Sequence, residues 1–195
     1  LVGFPPGGSA DVVARLLADK MRVTLNQNVI IDNKPGAAGR LALAEVKRSA
    51  RTPACCRRAP SGALVIHPWL YPSLGYDPVK DFAPVSNVAT VPSVLAVNAK
   101  FPARTMAELL AMARKEPGKI TFASPGMGSL GHANVEYFSS LAKIELLHVP
   151  YKGSGMALND AVAGQVDAIT DNLPSALTHI QAGRLRALAV LSDKR

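Results

Sequence analysis

Phe4-Pro5-Pro6-Gly7-Gly8-Ser9-Ala10 runs directly into a helical pattern, and the fold reads outward from this stretch. Two prolines stiffen the approach, and two glycines let the backbone come close to a partner with no side chain between them. Ser9 stands where a helix N-cap is expected, and Val12, Val13, Leu16 and Leu17 recur behind it at helical spacing. A helix N-terminus with uncommitted N–H groups is a seat for an anion. The loop lacks the Lys-Ser/Thr pair of a nucleotide P-loop and the third glycine of a dinucleotide fingerprint. A tight turn before a capped helix accounts for the same residues equally well.

The 195 residues suffice for one ordinary domain or two small ones, and 48% of them are hydrophobic, enough for a packed core. No apolar run approaches the ~20 residues needed to span a bilayer. Leu1-Val2-Gly3 reads as the tail of a strand, so the N-terminus is expected to be cropped. The net charge of +8 raises nucleic acid as a partner. Much of that charge sits in residues 40–58, where Arg40, Lys47, Arg48, Arg51, Arg57 and Arg58 face one acid, Glu45, with no interleaved aromatic residues. That pattern predicts a solvated basic face and no nucleic-acid partner. Cys55 and Cys56 are adjacent, which suits neither a mutual disulfide nor a metal site.

The first helix is predicted from Ala10 to about Leu25, then a short buried strand at Val29-Ile30-Ile31, a glycine-rich loop at residues 33–39 and a helix carrying Leu41, Ala42, Leu43 and Val46. The next strand is due near residues 52–60, where Pro53, Arg57 and Arg58 make a poor one; the pattern recovers at Ser61–Pro68. Phe82–Asn98 reads as two strands meeting at Val91-Pro92-Ser93. Thr105 and Glu108 form a capping box for a helix that Pro117-Gly118 ends. Strands follow at Lys119–Ala123, Ile144–Val149, Val166–Thr170 and Leu185–Leu191. Helices alternate with them, from Ser129 to Leu141, from Ser154 to about Ala163, and from Asp171-Asn172-Leu173-Pro174 to near Gly183. In open α/β sheets ligands lie at the carboxyl ends of the strands, which singles out Pro5–Ser9, Ser124–Ser129, Tyr151–Ser154 and Asp171-Asn172.

Five segments, in order, resemble the Bug/TctC receptors of tripartite tricarboxylate transporters: Phe4–Asp11, Asp32–Gly39, Tyr76–Val85, Val149–Ser154 and Asp171–Ser175. The resemblance implies a type II periplasmic-binding-protein fold, with two α/β domains closing on a ligand in a cleft at a hinge. Domain 1 would be residues 1–98 and domain 2 residues 99–195, with the hinge near Val97–Ala99. Family members continue past a segment like Leu185–Arg195 and return to domain 1, so the chain reads as truncated at both ends. Arg51–Ala59 departs from the family's Asp-Gly turn and apolar strand, as a short out-of-frame stretch would.

The family holds a ligand carboxylate with backbone N–H groups from two loops, and charge-assisted bonds of that kind need no arginine clamp. Carried onto this chain, Gly7, Gly8, Ser9 and Ala10 would supply one side, with Pro6 a contact beside them, and Gly128, Ser129 and His132 the other. Ser61 is a further contact. Lys152 is either a contact or a solvated side chain; Asp171 either receives a ligand ammonium or caps the next helix, and Asn172 stands likewise. His67 reads as structural. Ser9, His132 and Asp171 make a triad only on paper, since no Gly-x-Ser-x-Gly elbow is present; no enzyme activity, cofactor or metal is expected. The implied protein is a periplasmic, monomeric receptor that captures a small organic carboxylate or acidic amino acid for membrane transporter subunits or a sensor. The alternative is the effector domain of a LysR-type transcription regulator, which resembles it in fold and would carry an upstream helix-turn-helix.

Overall fold

The structure, a computed structural model, describes residues 1–49 and 61–192, so the expected strand near residues 52–60 and the departure at Arg51–Ala59 lie outside the described residues. The chain divides into two compact units, residues 1–86 and 87–195.

In the first unit α1 (Ser9–Leu25) buries Ala10, Asp11, Ala14 and Ala18. The buried face is thus the alanine stripe at four-residue spacing, and Val12, Leu16 and Leu17 are exposed, contrary to the apolar reading of the sequence. Ala10 and Ala14 pack with Val2, Phe4 and Ile31. The strand expected at Val29-Ile30-Ile31 does not form among the described residues: Ile30 is 83% exposed, and the pairing found near it there is a single parallel bridge between Val2 and Asn33. A short 3-10 turn leads into α2 (Arg40–Arg48), which buries Ala42 and Leu43. Gly62–Ile66 winds as a π-helical turn continuous with α3 (His67–Leu70), and Leu43, Ala63 and Tyr76 form the second small core.

The second unit is a five-stranded sheet of β1 (Ser93–Asn98), β2 (Thr121–Ser124), β3 (Leu147–Pro150), β4 (Ala168–Asn172) and β5 (Leu185–Leu191), in the order β3-β2-β4-β1-β5. β2 runs parallel to β3 and β4, and β1 runs antiparallel to β4 and β5. The helices are α4 (Met106–Lys115), α5 (Leu130–Ala142), α6 (Ser154–Ala163) and α7 (Leu173–Gln181). Successive strand residues point to opposite faces, so β1, β2 and β4 each feed two cores. Val94, Ala96, Ala123 and Ile169 pack with Ala157, Leu158 and Ala161 of α6 and Ala176 of α7. Leu95, Val97, Phe122 and Ala168 pack with Leu109 and Ala113 of α4 and Val135 of α5.

Of the two strands expected over Phe82–Asn98, only β1 forms. The residues before it are extended without a ladder, and Val85 is almost fully exposed. The division between units falls between residues 86 and 87, and β1 is buried along its whole length between β4 and β5. The residues read as a hinge are held there: Val97 pairs with Ala168 and Arg186, and the Ala99 N–H donates to Arg184 O.

Candidate functional site

In the first unit the Pro-Pro-Gly-Gly turn is shaped by an internal carboxylate. Gly7 takes φ +86°, and its N–H donates to Asp11 Oδ2 at 3.1 Å. Arg15 Nε donates to the same oxygen at 2.8 Å, and Asn33 Nδ2 donates to Asp11 Oδ1 and to Phe4 O, both at 3.0 Å. Asp11 is buried, and its pKa falls to about 2, chiefly through the Arg15 hydrogen bond and then through Gly7 and Asn33, against the cost of burial. Gly7 therefore spends its donor inside the protein. Ser9 is the first helical residue and not the cap; Gly8 holds that position in ordinary extended geometry. Gly8 O accepts from the N–H groups of Asp11 and Val12, while the Gly8 and Ala10 N–H groups have no acceptor among the described residues. Pro6 is exposed beside them. Ser61 is exposed, and His67 is fully buried with its ring edge-on to Tyr71.

In the second unit the loops gather at the carboxyl ends of the parallel strands β2, β3 and β4. Ser129 caps α5 as the sequence predicts, accepting the His132 N–H at 3.2 Å. The three expected N–H donors are nonetheless consumed locally. Gly128 (φ +75°) donates to His132 Nδ1 at 3.3 Å, Ser129 to Gly126 O at 3.0 Å, and His132 to Ser129. The N–H groups of Leu130 and Gly131, at the start of α5, are the ones left without an acceptor among the described residues. Gly131 is irreplaceable in space, because a Cβ there would lie 2.6 Å from Thr170 O. Lys152 is exposed in the β3–α6 turn.

Asp171 is not the N-cap residue of α7. It lies in β4, 2% exposed; Oδ1 accepts from Ser154 Oγ at 2.8 Å, and Oδ2 is buried with no hydrogen-bond partner among the described residues. Burial pushes its pKa up to about 6, against the downward pull of Ser154 and the Asn172 N–H. Asn172 occupies the N-cap position of α7 without a side-chain capping bond. Asp11, Asn33 and His148 are site-shaping residues that sequence reasoning missed; Ser124 opens a loop that it singled out. Asp11 and Asn33 lie within matched segments; His148 carries no signal beyond being a histidine one strand position before a matched segment. Among the described residues no group of three His, Cys, Asp or Glu could hold a metal ion.

The family model described as "Tripartite tricarboxylate transporter family receptor" (TctC) matches residues 13–195. The chain is 40% identical over 195 residues to the "UPF0065 protein in tcbD-tcbE intergenic region" of Pseudomonas sp. strain P51, and 39% over 196 residues to "Protein BugT" of Bordetella pertussis. All of this chain is matched in both, but 58% and 60% of those relatives. Among solved structures, "Structure of a periplasmic transporter" matches with a TM-score of 0.95 at 42% identity, and "R. palustris Rpa4515 with adipate" with 0.96 at 34%; each match covers 100% of this chain and 65% of the other. "MatC (Rpa3494) from Rhodopseudomonas palustris with bound malate" matches with a TM-score of 0.87 at 30% identity, over 100% of this chain and 66% of that one. The chain thus spans about 60% of the curated relatives' length, and it belongs to the TctC/Bug family of solute-binding receptors.

Proposed function

We propose that the protein containing this chain is a periplasmic receptor for a small organic carboxylate, which it delivers to a tripartite tricarboxylate-type transporter. The observation that carries this reading is the state of the backbone donors. Each unit holds a glycine-bearing turn at a helix N-terminus, fixed by its own side chains, with N–H groups that have no acceptor among the described residues: Gly8 and Ala10 in one, Leu130 and Gly131 in the other. Helix N-termini favour anions, and a carboxylate accepts such bonds more strongly than a neutral oxygen does. Relatives with adipate and with malate support the same ligand class. Of the expected contacts, Gly8 and Ala10 remain direct donors in this proposal. Gly7, Gly128, Ser129 and His132 become the residues that shape the turns, and Pro6, Ser9 and Ser61 in the first unit and Lys152, Asp171 and Asn172 in the second stay as proposed contacts.

Thermal-shift titration of the full-length gene product against adipate, malate and succinate tests the reading. A ligand at ~100 times its dissociation constant adds ~2.7 kcal/mol to stability. Gly8→Val is the matched variant: Gly8 has φ −79°, and a Cβ there meets nothing within 4 Å, so the variant should fold while its side chain shields the donors. A melting curve that no carboxylate moves, or a Gly8→Val protein that binds as the parent does, would sink the proposal.

A further inference from the structure

Two histidines from different elements grip the β2–α5 turn at two points. β2 and β3 pair in parallel with Phe122 opposite His148, which puts the two rings side by side: they stack at 4.7 Å and 21°. The His132 ring, from the first turn of α5, stacks on His148 at 4.2 Å and 28°. His148 Nε2 lies 2.7 Å from the fully buried Ser124 Oγ, which also bonds both the N–H and the carbonyl of Gly126 at 3.2 Å. On the other side of the turn, His132 Nδ1 accepts the Gly128 N–H. That nitrogen must be unprotonated, which leaves the neutral ring's proton on Nε2, 3.6 Å from Glu136 Oε1. We propose that His148 is a positioning residue for the turn Ser124–Ser129, acting with His132 as a neutral stacked imidazole pair that sets the start of α5 for its ligand. The ligand clause rests on the carboxylate reading above; the grip on the turn does not.

The pair works only while both rings are neutral. A proton on His132 Nδ1 would remove the acceptor for Gly128, and two imidazolium rings at this separation would repel. Burial lowers both pKa values, that of His148 to about 4, with His132 adding to the effect on His148. Glu136 is the charged group that faces the pair, and it pulls His132 the other way. Sequence reading assigned His132 to ligand contact; its ring instead holds backbone, and His148 holds the ring.

Amide hydrogen exchange of the full-length protein, with and without succinate or malate, is the test. His148→Phe keeps the stack and removes the bond to Ser124. His148→Gln keeps a nitrogen near the Nε2 position and loses the ring. In ligand-free His148→Phe the protection factor of Gly126 should fall about tenfold, the worth of roughly one hydrogen bond, with the α6 amides unchanged. The carboxylate dissociation constant should rise by a similar factor, and His148→Gln should recover part of both. In the parent protein the protection factors of Gly126 and Gly128 should drop as pH falls below the ordinary imidazole range and through about 4, where His148 charges. Unchanged protection in a folded His148→Phe protein overturns the proposal. If that variant does not fold, unchanged protection in the parent across the pH range overturns it. A parent that binds neither acid refutes the carboxylate reading, while the ligand-free protection factors still decide the positioning role.

Discussion

Asp11 and Asp171 are both buried carboxylates, and their surroundings drive them in opposite directions. Asp11 has donors on both oxygens, and its folded pKa of about 2 lies below the unfolded value. Its stabilisation is therefore complete above the unfolded pKa and is lost as pH falls through the folded one. Asp11→Ala should cost about 1–2 kcal/mol at neutral pH, a range that allows for screening of the half-exposed Arg15, and little at pH 2. Urea titrations at the two pH values read the difference. Asp171 has one satisfied oxygen and a folded pKa raised to about 6, so its contribution is present at acid pH and lost as pH rises through that value. Asp171→Asn should consequently raise the melting temperature at pH 7.5, by up to about 3 kcal/mol in stability, and the gain should vanish near pH 4. A variant less stable than the parent at pH 7.5 would mean that the ionised carboxylate has a partner at Oδ2 in solution.

The elements of the second unit were largely legible because local and tertiary preferences agree there. Thr105 accepts the Glu108 N–H, and Ser129 accepts the His132 N–H, as caps should. Glu108 reaches back to the Arg104 N–H, one residue before the cap whose own N–H a capping box would use. In the first unit an apolar run was not enough. Val29-Ile30-Ile31 has strand composition but only a single bridge near it, and α1 buries alanines because they allow close approach where Leu16 would not. The clasp of Asp11 and Asn33, 22 residues apart, was not legible, since polar pairing at that range depends on where the chain has already been placed. Two glycines now separate packing from propensity. Gly131→Ala should cost about 1–3 kcal/mol by driving a methyl group into β4. Gly155→Ala, where a Cβ meets nothing within 4 Å in α6, should instead stabilise by about 0.5–1 kcal/mol. Denaturant midpoints of the two variants should shift in opposite directions.

At the scale of the whole molecule, secondary-structure order along the chain and spatial order in the sheet diverge. β1 is first in sequence and lies between the last two strands. Its residues Val94, Ala96 and Val97 are fully buried, whereas Leu147 of the edge strand β3 is exposed. Native-state exchange should therefore find the slowest amides in β1 and much faster ones along β3. If β3 proved as protected as β1, the strand order would be in question. The membership in a receptor family follows from the whole chain, because no single matched segment is distinctive; the five together, in order, are.

The central place of β1 also bears on synthesis. A ribosome makes residues 93–98 long before residues 168–172 and 185–191, the two stretches that will pair with them. At the usual ~5–20 residues per second, β1 stays without either neighbour for several seconds, with an apolar strand open on both edges. The nascent chain is thus held back from completing its sheet until β5 has emerged, an interval during which a holding chaperone has an unfolded strand to bind.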